Sequence, residues 1–298
     1  MSQEKQKLIV ILGPTAAGKS TLAIRLAGVL GGEIISADSR QVYKGLNLGT
    51  GKVTKKEMKG VPHHLLDVTL PKRRFTVTQY KSLAIKAINK IYRKNKIPFL
   101  VGGTGFYIQA VIDDLIFPSV KPDWNLRKKL AKKSTKKLYQ ILKKLDSQRA
   151  KTIDKNNPRR LIRAIEIVKK SKRPVPLLQK KSPFDVLIIG LKKSPTELKK
   201  LIKKRLLKRL KQGMVAEVKK LKKSGLSWQH LDDLGLEYRY IARYLQKKIS
   251  YQEMINLLEQ KIKKFSRCQM TWFKRDKRIK WIKNFTEAKR LIKNFLRV

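Results

Sequence analysis

The chain of 298 residues is 41% hydrophobic and 32% charged, which is enough for one sizeable core or for a core with a small second domain. Its 73 Lys and Arg residues against 21 Asp and Glu residues give a net charge of +52, which favours a polyanionic partner, although a general enrichment in lysine explains the charge equally well. The single cysteine excludes an internal disulfide, and the lack of a long apolar run or a signal-peptide cleavage region predicts a cytoplasmic protein without a membrane span.

The first third of the chain alternates short apolar runs with helical patterns. Residues 8–12 form an apolar, β-branched run that predicts a buried strand, and residues 21–30 have helical spacing. A second strand is predicted at 33–36, a helix at 79–92 and a further strand at 97–101. Strands that alternate with helices in this way predict a parallel sheet in an α/β fold.

The pattern changes in the middle of the chain. Residues 122–172 are rich in Lys and Leu and have helical spacing throughout, with no strand signal. Residues 184–190 predict a strand again, and a mostly helical stretch then leads to a last short apolar segment at 279–282. We therefore expect an α/β core with an inserted all-helical subdomain. The predicted core consists of residues 1–118 and 184–298, and the predicted insertion consists of residues 119–183.

The most specific motif follows the first predicted strand and has the form G-x-x-x-x-G-K-[S/T]. Its position between a strand and a helix is the context that a P-loop requires. Its glycines let backbone amides surround a pyrophosphate, while Lys19 adds a positive charge and Ser20 offers a hydroxyl ligand for Mg²⁺. We therefore predict binding of a nucleotide or another pyrophosphate compound. The P-loop segment consists of Gly13, Pro14, Thr15, Ala16, Ala17, Gly18, Lys19 and Ser20.

Two further turns are expected at the same edge of the sheet. Asp38 follows the second predicted strand, and the glycine turn that contains Thr104 follows the strand at 97–101. Because open α/β sheets bind ligands beyond the carboxyl ends of their strands, Asp38 can act as a base, hold Mg²⁺ or only shape its turn. Ordinary P-loop enzymes that cleave nucleotides have an acidic residue at such a strand end, so its absence beside Thr104 makes a kinase or ATPase less favoured.

Segments in order along nearly the whole chain resemble the tRNA dimethylallyltransferases. The resemblance implies transfer of a dimethylallyl group from dimethylallyl pyrophosphate to N6 of the adenosine next to a tRNA anticodon. It also implies that the P-loop holds the pyrophosphate of this donor, with Mg²⁺. Beyond the P-loop, the segments that carry it are Asp38–Tyr43, Gly49–Lys52, Pro62–Asp67, Val101–Tyr107, Asn156–Glu166, Gly213–Val218 and Gln269–Phe273.

The resemblance implies roles for individual residues as well. Asp38 matches the general base of the family, Thr104 a residue of the reaction channel and Arg205 an arginine for the pyrophosphate. The implied partner is the tRNA anticodon stem-loop, which a monomer is able to serve. The residues in segments that match tRNA-contacting regions are Asp38, Ser39, Arg40, Gln41, Thr104, Arg127, Arg159, Arg160, Leu161, Ile162, Arg163, Arg239, Arg267, Gln269, Thr271, Trp272 and Lys274.

Two other classes of protein stay open from the residues alone. A P-loop kinase of a nucleoside, nucleotide or small metabolite explains the P-loop and Asp38, but not the basic segment 159–163 or the segment 269–273. A nucleic-acid-binding protein with an inactive P-loop explains the charge, but needs no Asp38. His63 and His64 suggest a metal, but adjacent side chains do not point in one direction, so a structural role is favoured.

Overall fold

The computed structural model describes residues 5–176 and 181–297, and these include one parallel sheet. The elements, in chain order, are β1 Lys7–Leu12, α1 Lys19–Val29, β2 Gly32–Ala37, α2 Lys55–Met58, β3 His63–His64, α3 Val77–Tyr92, β4 Ile97–Gly102, α4 Gly105–Ile112, α5 Trp124–Ala131, α6 Thr135–Leu145, α7 Ser147–Thr152, α8 Pro158–Ser171, β5 Asp185–Leu191, α9 Pro195–Lys211, α10 Met214–Lys223, α11 Trp228–Leu234, α12 Leu236–Leu245, α13 Tyr251–Phe273, β6 Lys280–Ile282 and α14 Phe285–Leu296.

The sheet confirms the predicted α/β class. Its strands lie in the order β3-β2-β4-β1-β5-β6, and each pair of neighbours is parallel. The central strand β1 is buried on both faces: Leu8 and Val10 point into one hydrophobic core, whereas Ile9 and Ile11 point into another. A strand covered on both faces needs apolar residues at successive positions, which explains the continuous apolar run in this part of the sequence.

Helices cover the two faces of the sheet unequally. On one face, α1 and α14 contribute to the smaller core around Ile9 and Ile11. On the other face, the larger core combines buried residues of α3, α4, α9, α10, α12 and α13. The long helices of the second half of the chain therefore pack against the same sheet as the first half. This packing brings residues of α9, α12 and α13 to the carboxyl edge of β1, where the P-loop begins.

The contacts between Cα atoms divide the chain into two compact units, one consisting of Met1–Asp114 and Lys181–Val298 and the other of Leu115–Lys180. The second unit contains α5 to α8, packed around a core that includes Leu138, Leu142 and Ile165. The insertion predicted at 119–183 lies close to these bounds, and its residues 177–180 fall outside the described part of the chain. Its separate role in contacting tRNA stays a prediction.

None of the helices in residues 5–176 and 181–297 combines the length and the apolar character needed to cross a bilayer.

Candidate active site

Three turns that follow strands of the sheet lie side by side at its carboxyl edge. The P-loop follows β1, the turn with Thr104 follows β4, and Asp38 follows β2, with β4 between the other two strands. The backbone amide of Ser39 donates a hydrogen bond to Thr104 Oγ1 at 3.1 Å, and the amide of Thr104 donates one to the carbonyl of Ala37 at 3.2 Å. The structure thus brings Asp38 and Thr104 together beside the P-loop.

The P-loop has the backbone shape that its glycines allow. Gly18 precedes α1 with φ of 89°, a left-handed conformation that side chains with a Cβ rarely adopt. Gly13 passes so close to β5 that an added Cβ would lie 2.9 Å from the carbonyl oxygen of Leu191. Lys19 Nζ donates a hydrogen bond of 2.7 Å to the carbonyl of Pro14, at the other end of the loop. The loop is therefore closed around its own lysine, next to the N-terminus of α1.

Electrostatics at Lys19 favour the arrival of an anion. Burial, and then the nearby charge of Arg205, lower the pKa of Lys19 to about 7, and Asp38 only partly opposes this shift. Burial and a neighbouring cation both disfavour the charged form of Lys19, so an arriving anion would stabilise it. A pyrophosphate bound in the loop would supply that charge and would restore the protonated state of Lys19.

The carboxylate of Asp38 is fixed through one of its oxygens. Oδ1 accepts hydrogen bonds from the backbone amides of Arg40 at 2.8 Å and Gln41 at 3.3 Å, which is an Asx turn. Among the described residues, none donates a hydrogen bond to the other oxygen, Oδ2. Asp38 therefore shapes its turn with one oxygen and keeps the second for a proton, a metal ion or a substrate.

A side-chain amide from α13 joins two of the three turns. Gln269 Oε1 accepts a hydrogen bond of 2.8 Å from the backbone amide of Thr15, and Gln269 Nε2 donates one of 2.9 Å to the carbonyl of Gly103. The residue is 8% exposed, and a Cβ on Gly103 would lie 2.5 Å from Nε2. The sequence analysis places Gln269 in a tRNA-contacting segment, whereas the structure gives its side chain a role in positioning the P-loop.

Arg205 faces the same cluster from α9. Burial lowers the pKa of its guanidinium, and the charges of Glu237 and Asp38 oppose this shift. The side chains of Arg209 and Glu237, for which the sequence analysis predicts no role, line one cavity with Arg205 and with Thr15 of the P-loop. Only the four-residue spacing of the two arginines could have indicated Arg209, and it is hidden among the many lysines of α9.

The loop between β2 and α2 is held by a half-buried carboxylate for which no role is predicted from the sequence. Glu217 of α10 accepts hydrogen bonds from the backbone amides of Asn47, Leu48 and Gly49 at 3.0, 2.7 and 3.1 Å. It accepts a fourth, of 2.8 Å, from the hydroxyl of Tyr238. The conformation of this loop therefore depends on residues far away in the sequence.

The expected tRNA-contacting residues of α13 differ in exposure. Arg267 and Thr271 are exposed, and so is Lys274 immediately after the helix. The ring of Trp272 is half-buried against Gly105, where a side chain on the glycine would overlap it. The cationic residues of this segment are thus available to a polyanion, whereas Trp272 has a packing role.

Two arginines of the core unit are engaged with the last turn of α11. Arg40 Nη2 donates to the carbonyl of Asp233 at 3.1 Å. Arg239 Nε lies 3.0 Å from Asp232 Oδ2, and its Nη2 donates to the carbonyl of Asp232 at 2.9 Å. Both arginines are half-buried, and these contacts fix the positions of their guanidinium groups.

Within the helical unit, two of the predicted tRNA-contacting arginines form a buried ion cluster. Arg127 holds the fully buried Glu166 through two hydrogen bonds of 2.8 and 2.7 Å, and Arg163 donates to the same carboxylate and to the carbonyl of Val120. Burial alone would raise the pKa of Glu166, but the guanidinium groups hold it below its usual range. These two arginines therefore stabilise the unit in which they lie.

The rest of the basic segment of α8 is divided between core and surface. Leu161 is fully buried in the core of the helical unit, and Ile162 packs against that core. Arg159 and Arg160 are exposed in the first turn of α8. The side chains of this segment that are able to meet a phosphate backbone are therefore those of Arg159 and Arg160.

The two adjacent histidines have neighbours of their own. His64 Nε2 lies 2.7 Å from the buried carboxylate of Glu33, and His63 Nδ1 lies 2.8 Å from the carbonyl of Val61. Across the part of the chain that the structure describes, no group of three or more His, Cys, Asp and Glu side chains is placed to hold a metal ion. The histidines belong to β3, away from the three turns of the candidate site.

Known proteins have sequences similar to this chain along nearly its whole length. The model of the IPP transferase family matches residues 41–276. A tRNA dimethylallyltransferase of Halothermothrix orenii is 37% identical over 98% of this chain and 94% of its own. The tRNA dimethylallyltransferase 2 of Treponema denticola is 43% identical over 91% of this chain and 93% of its own.

Solved structures share the fold as well. The full-length tRNA isopentenylpyrophosphate transferase of Bacillus halodurans superposes with a TM-score of 0.74 at 34% identity, covering 98% of this chain and 96% of that one. A eukaryotic dimethylallyltransferase acting on tRNA gives a TM-score of 0.75 at 26% identity, covering 90% of this chain and 69% of that one. From the family match and the extent of these similarities, the chain belongs to the IPP transferase family.

Proposed function

We propose that the protein transfers a dimethylallyl group from dimethylallyl pyrophosphate to N6 of the adenosine next to the anticodon of a tRNA. The observation that carries this proposal is the meeting of a phosphate-binding P-loop with Asp38 and Thr104 at one edge of the sheet. The relatives are named for dimethylallyl transfer to tRNA, which supports these two substrates. The reaction would take place in the cytoplasm, and one chain supplies every group that the proposal uses.

Asp38 would act on the nucleophile. The exocyclic amine of adenine is weakly nucleophilic, so a base that accepts its proton while the new N–C bond forms lowers the barrier. The Asx turn leaves Oδ2 of Asp38 for this proton, because the turn is made through Oδ1 alone. The hydroxyl of Thr104 accepts a hydrogen bond from the amide of Ser39, the residue after Asp38, and is able to donate a hydrogen bond to the adenine.

Lys19 and Arg205 would act on the leaving group. As the bond between the allylic carbon and the pyrophosphate oxygen breaks, negative charge accumulates on the pyrophosphate. Preorganised cations stabilise that charge most effectively where water is excluded. Arg205 is close enough to Lys19 to lower the pKa of that lysine, and the charge of Asp38 acts on both cations. Burial lowers the pKa of Arg205 itself.

The residues present suit Mg²⁺, which prefers oxygen ligands and commonly keeps substrate phosphates among them. Ser20 is exposed at the start of α1, beside the P-loop. We propose that its hydroxyl, with the pyrophosphate, holds the ion. Bound there, Mg²⁺ would neutralise part of the charge of the pyrophosphate.

The proposal is tested by supplying the protein with tRNA and dimethylallyl pyrophosphate labelled in the prenyl group. Label is expected in tRNA, and specifically in the anticodon stem-loop after nuclease digestion. A parallel reaction with ATP labelled in its γ-phosphate tests the rival kinase activity on nucleosides and small metabolites. Phosphoryl transfer without prenyl transfer would overturn the proposal.

The position of Gln269 predicts a defect in donor binding. Gln269→Met keeps the volume of the side chain but leaves the amide of Thr15 and the carbonyl of Gly103 without their partner. Because the P-loop is then less firmly held, KM for the donor is expected to rise about tenfold, which corresponds to the loss of one to two buried hydrogen bonds. Gln252→Met is a matched control, because Gln252 lies exposed on the same helix and bonds only to Asn256. Weaker tRNA binding with an unchanged donor KM would instead make Gln269 a tRNA contact.

Substitutions of two arginines of α8, Arg160 and Arg163, are expected to separate RNA binding from stability. Arg160→Ala should weaken tRNA binding and reduce the slope of log Kd against log salt by about one, because one phosphate contact is lost. Arg163→Ala should destabilise the fold by about 3 kcal/mol, since it removes a partner of the buried Glu166.

Filter binding across a salt series and thermal unfolding measure the two effects. Unchanged tRNA affinity and salt slope in Arg160→Ala would show that Arg160 is a solvated surface charge that does not contact tRNA. An unchanged melting temperature in Arg163→Ala would contradict the structural role of Arg163.

A further inference from the structure

A second arginine lies one helical turn after Arg205 on α9. Residues four apart lie on the same face of a helix, so Arg205 and Arg209 point in the same direction. Both line a cavity with Thr15 and Ala16 of the P-loop and with Glu237 of α12, and the rest of the wall is apolar. Arg209 therefore reaches the same space as the arginine that the proposed function uses.

The two guanidinium groups share a contact with the loop between β2 and α2. A methyl group on Gly51 would collide with the guanidinium of Arg209 and would lie 2.9 Å from an Nη atom of Arg205. The carbonyl of Gly51 accepts a hydrogen bond of 3.3 Å from Gln41 Nε2, and the backbone amide of Gln41 donates to Asp38. Arg209 is thus packed into the same group of turns as Asp38.

The charges of this cluster do not balance in the absence of an anion. Lys19, Arg205 and Arg209 are the cations, and Asp38 and Glu237 are the acids, so the fully ionised cluster has an excess of positive charge. Burial and the nearby Arg205 lower the pKa of Arg209 to about 10, which leaves it protonated at neutral pH. Partly buried excess charge is unfavourable unless a counter-charge arrives.

Glu237 is only a loose partner of Arg209. Its Oε1 lies 3.8 Å from Arg209 Nη1, although the side chains are only 20% and 11% exposed. A bidentate pair would use two parallel hydrogen bonds at about 2.8 Å. The guanidinium of Arg209 consequently keeps donors that Glu237 does not use, and these donors border the cavity beside the P-loop.

We propose that Arg209 is a second guanidinium ligand of the pyrophosphate of the donor, together with Arg205, and that Glu237 only partly balances its charge while no pyrophosphate is bound. This inference rests on the proposed function, which supplies the donor. The fork of a guanidinium matches phosphate oxygens, so two arginines can engage the pyrophosphate from one side while the P-loop amides and Lys19 engage it from another. The charge that develops on the leaving pyrophosphate would then meet two forks instead of one.

The test measures binding of inorganic pyrophosphate by calorimetry. Arg209→Met is expected to weaken binding about 10- to 100-fold, the usual loss for one charge-assisted contact. Lys208→Met is the matched control: Lys208 is exposed, precedes Arg209 on the same helix, and its replacement should leave the affinity unchanged. Equal affinity of Arg209→Met and the wild type would overturn the inference.

Glu237→Gln separates a ligand from a purely structural partner. The substitution breaks the same ion pair but leaves the guanidinium of Arg209 in the cavity. Because it also removes a negative charge from the cavity, the affinity for pyrophosphate should equal or exceed that of the wild type. If Glu237→Gln and Arg209→Met weaken binding equally, Arg209 acts only through its pair, and the inference fails. If Arg209→Met does not fold, Arg209→Lys is measured instead. Pyrophosphate binding as tight as in the wild type would then contradict the role of Arg209 as a guanidinium ligand.

The same proteins, assayed for prenyl transfer, distinguish this inference from the proposed function. Arg209→Met should raise KM for the donor and lower kcat together, since its contact exists before and during bond cleavage. Arg209-dependent binding of pyrophosphate in a wild-type protein that transfers no prenyl group would overturn the proposed function, and with it the donor, but would still support Arg209 as a ligand of pyrophosphate. Active wild-type protein with unaltered binding in Arg209→Met would overturn the inference alone.

Discussion

Asp38→Asn is expected to slow single-turnover prenyl transfer roughly 10²–10⁴-fold, while tRNA and donor still bind. The substitution keeps the size of the side chain and its ability to accept hydrogen bonds, but removes the charge and most of the basicity. The amides of Arg40 and Gln41 are able to donate to the oxygen of asparagine as they do to Oδ1 of Asp38. The turn should therefore survive, and the loss should fall on the proton transfer.

The size of the effect and its response to Mg²⁺ decide between the three roles open to Asp38. A residue that only shapes a turn loses little on conversion to asparagine, because the two are nearly equivalent in such positions. A Mg²⁺ ligand should regain activity as the concentration of Mg²⁺ is raised. A general base should show neither behaviour.

The experiment uses saturating tRNA and donor with rapid quenching across a titration of Mg²⁺. Asp154→Asn serves as a control, because Asp154 forms a similar turn with the backbone amide of Asn156 at an exposed position in the helical unit. Near-normal turnover of Asp38→Asn would remove the assignment as base, and recovery with Mg²⁺ would make Asp38 a metal ligand.

Much of the sheet could be predicted from the sequence because its strands are buried on both faces. A continuous run such as residues 8–12 has few alternatives to a strand between two helical layers. The strand β3 escaped prediction because it consists of His63 and His64, which are polar and too few to show a pattern. The helix α4 escaped because it begins directly after a glycine turn and is buried on most sides, so that it lacks a polar face.

The centre of the site could be predicted for a related reason. Parallel strands place their carboxyl ends at one edge, so that residues that follow different strands must meet there. Asp38 and Thr104, separated by many residues in the chain, share a hydrogen-bonded contact through Ser39. The local motif and the topology of the sheet are sufficient for this part of the inference.

The remainder of the site depends on which side chains meet across long separations. Gln269 and Thr15 are 254 positions apart, and nothing local to either residue indicates their hydrogen bond. Ion pairs are equally hard to predict. In helices rich in lysine and arginine, the sequence does not indicate which cation forms an ion pair with a buried carboxylate. Arg163 belongs to the cluster around Glu166, whereas Arg160, three positions earlier, is exposed.

Lys19→Met should reduce kcat/KM for the donor roughly 10²–10³-fold, the loss typical of one preorganised group that stabilises developing charge. The effect should appear in both KM and kcat, because Lys19 faces the pyrophosphate before and during cleavage of the C–O bond. Lys192→Met is a suitable control on the same unit, since Lys192 is exposed at the end of β5. Normal kinetics in Lys19→Met would show that the P-loop does not hold the donor.

The lowered pKa of Lys19 adds a test that does not depend on turnover. In the empty site Lys19 is charged below about pH 7 and neutral above it, whereas a bound pyrophosphate should return its pKa toward the ordinary value of 10.5. Binding at pH 8 should therefore take up a proton, and kcat/KM for the donor should fall as the pH rises above about 7.

Calorimetry of pyrophosphate binding in buffers with different ionisation enthalpies measures this proton. The wild type should take up about one proton more than Lys19→Met, which reports only the protonation of pyrophosphate itself. Because the titration of the ligand is common to both proteins, the difference belongs to Lys19. Equal proton uptake in the two proteins would show that pyrophosphate does not bind next to Lys19. In that case Lys19 would not contact the leaving group of the proposed reaction.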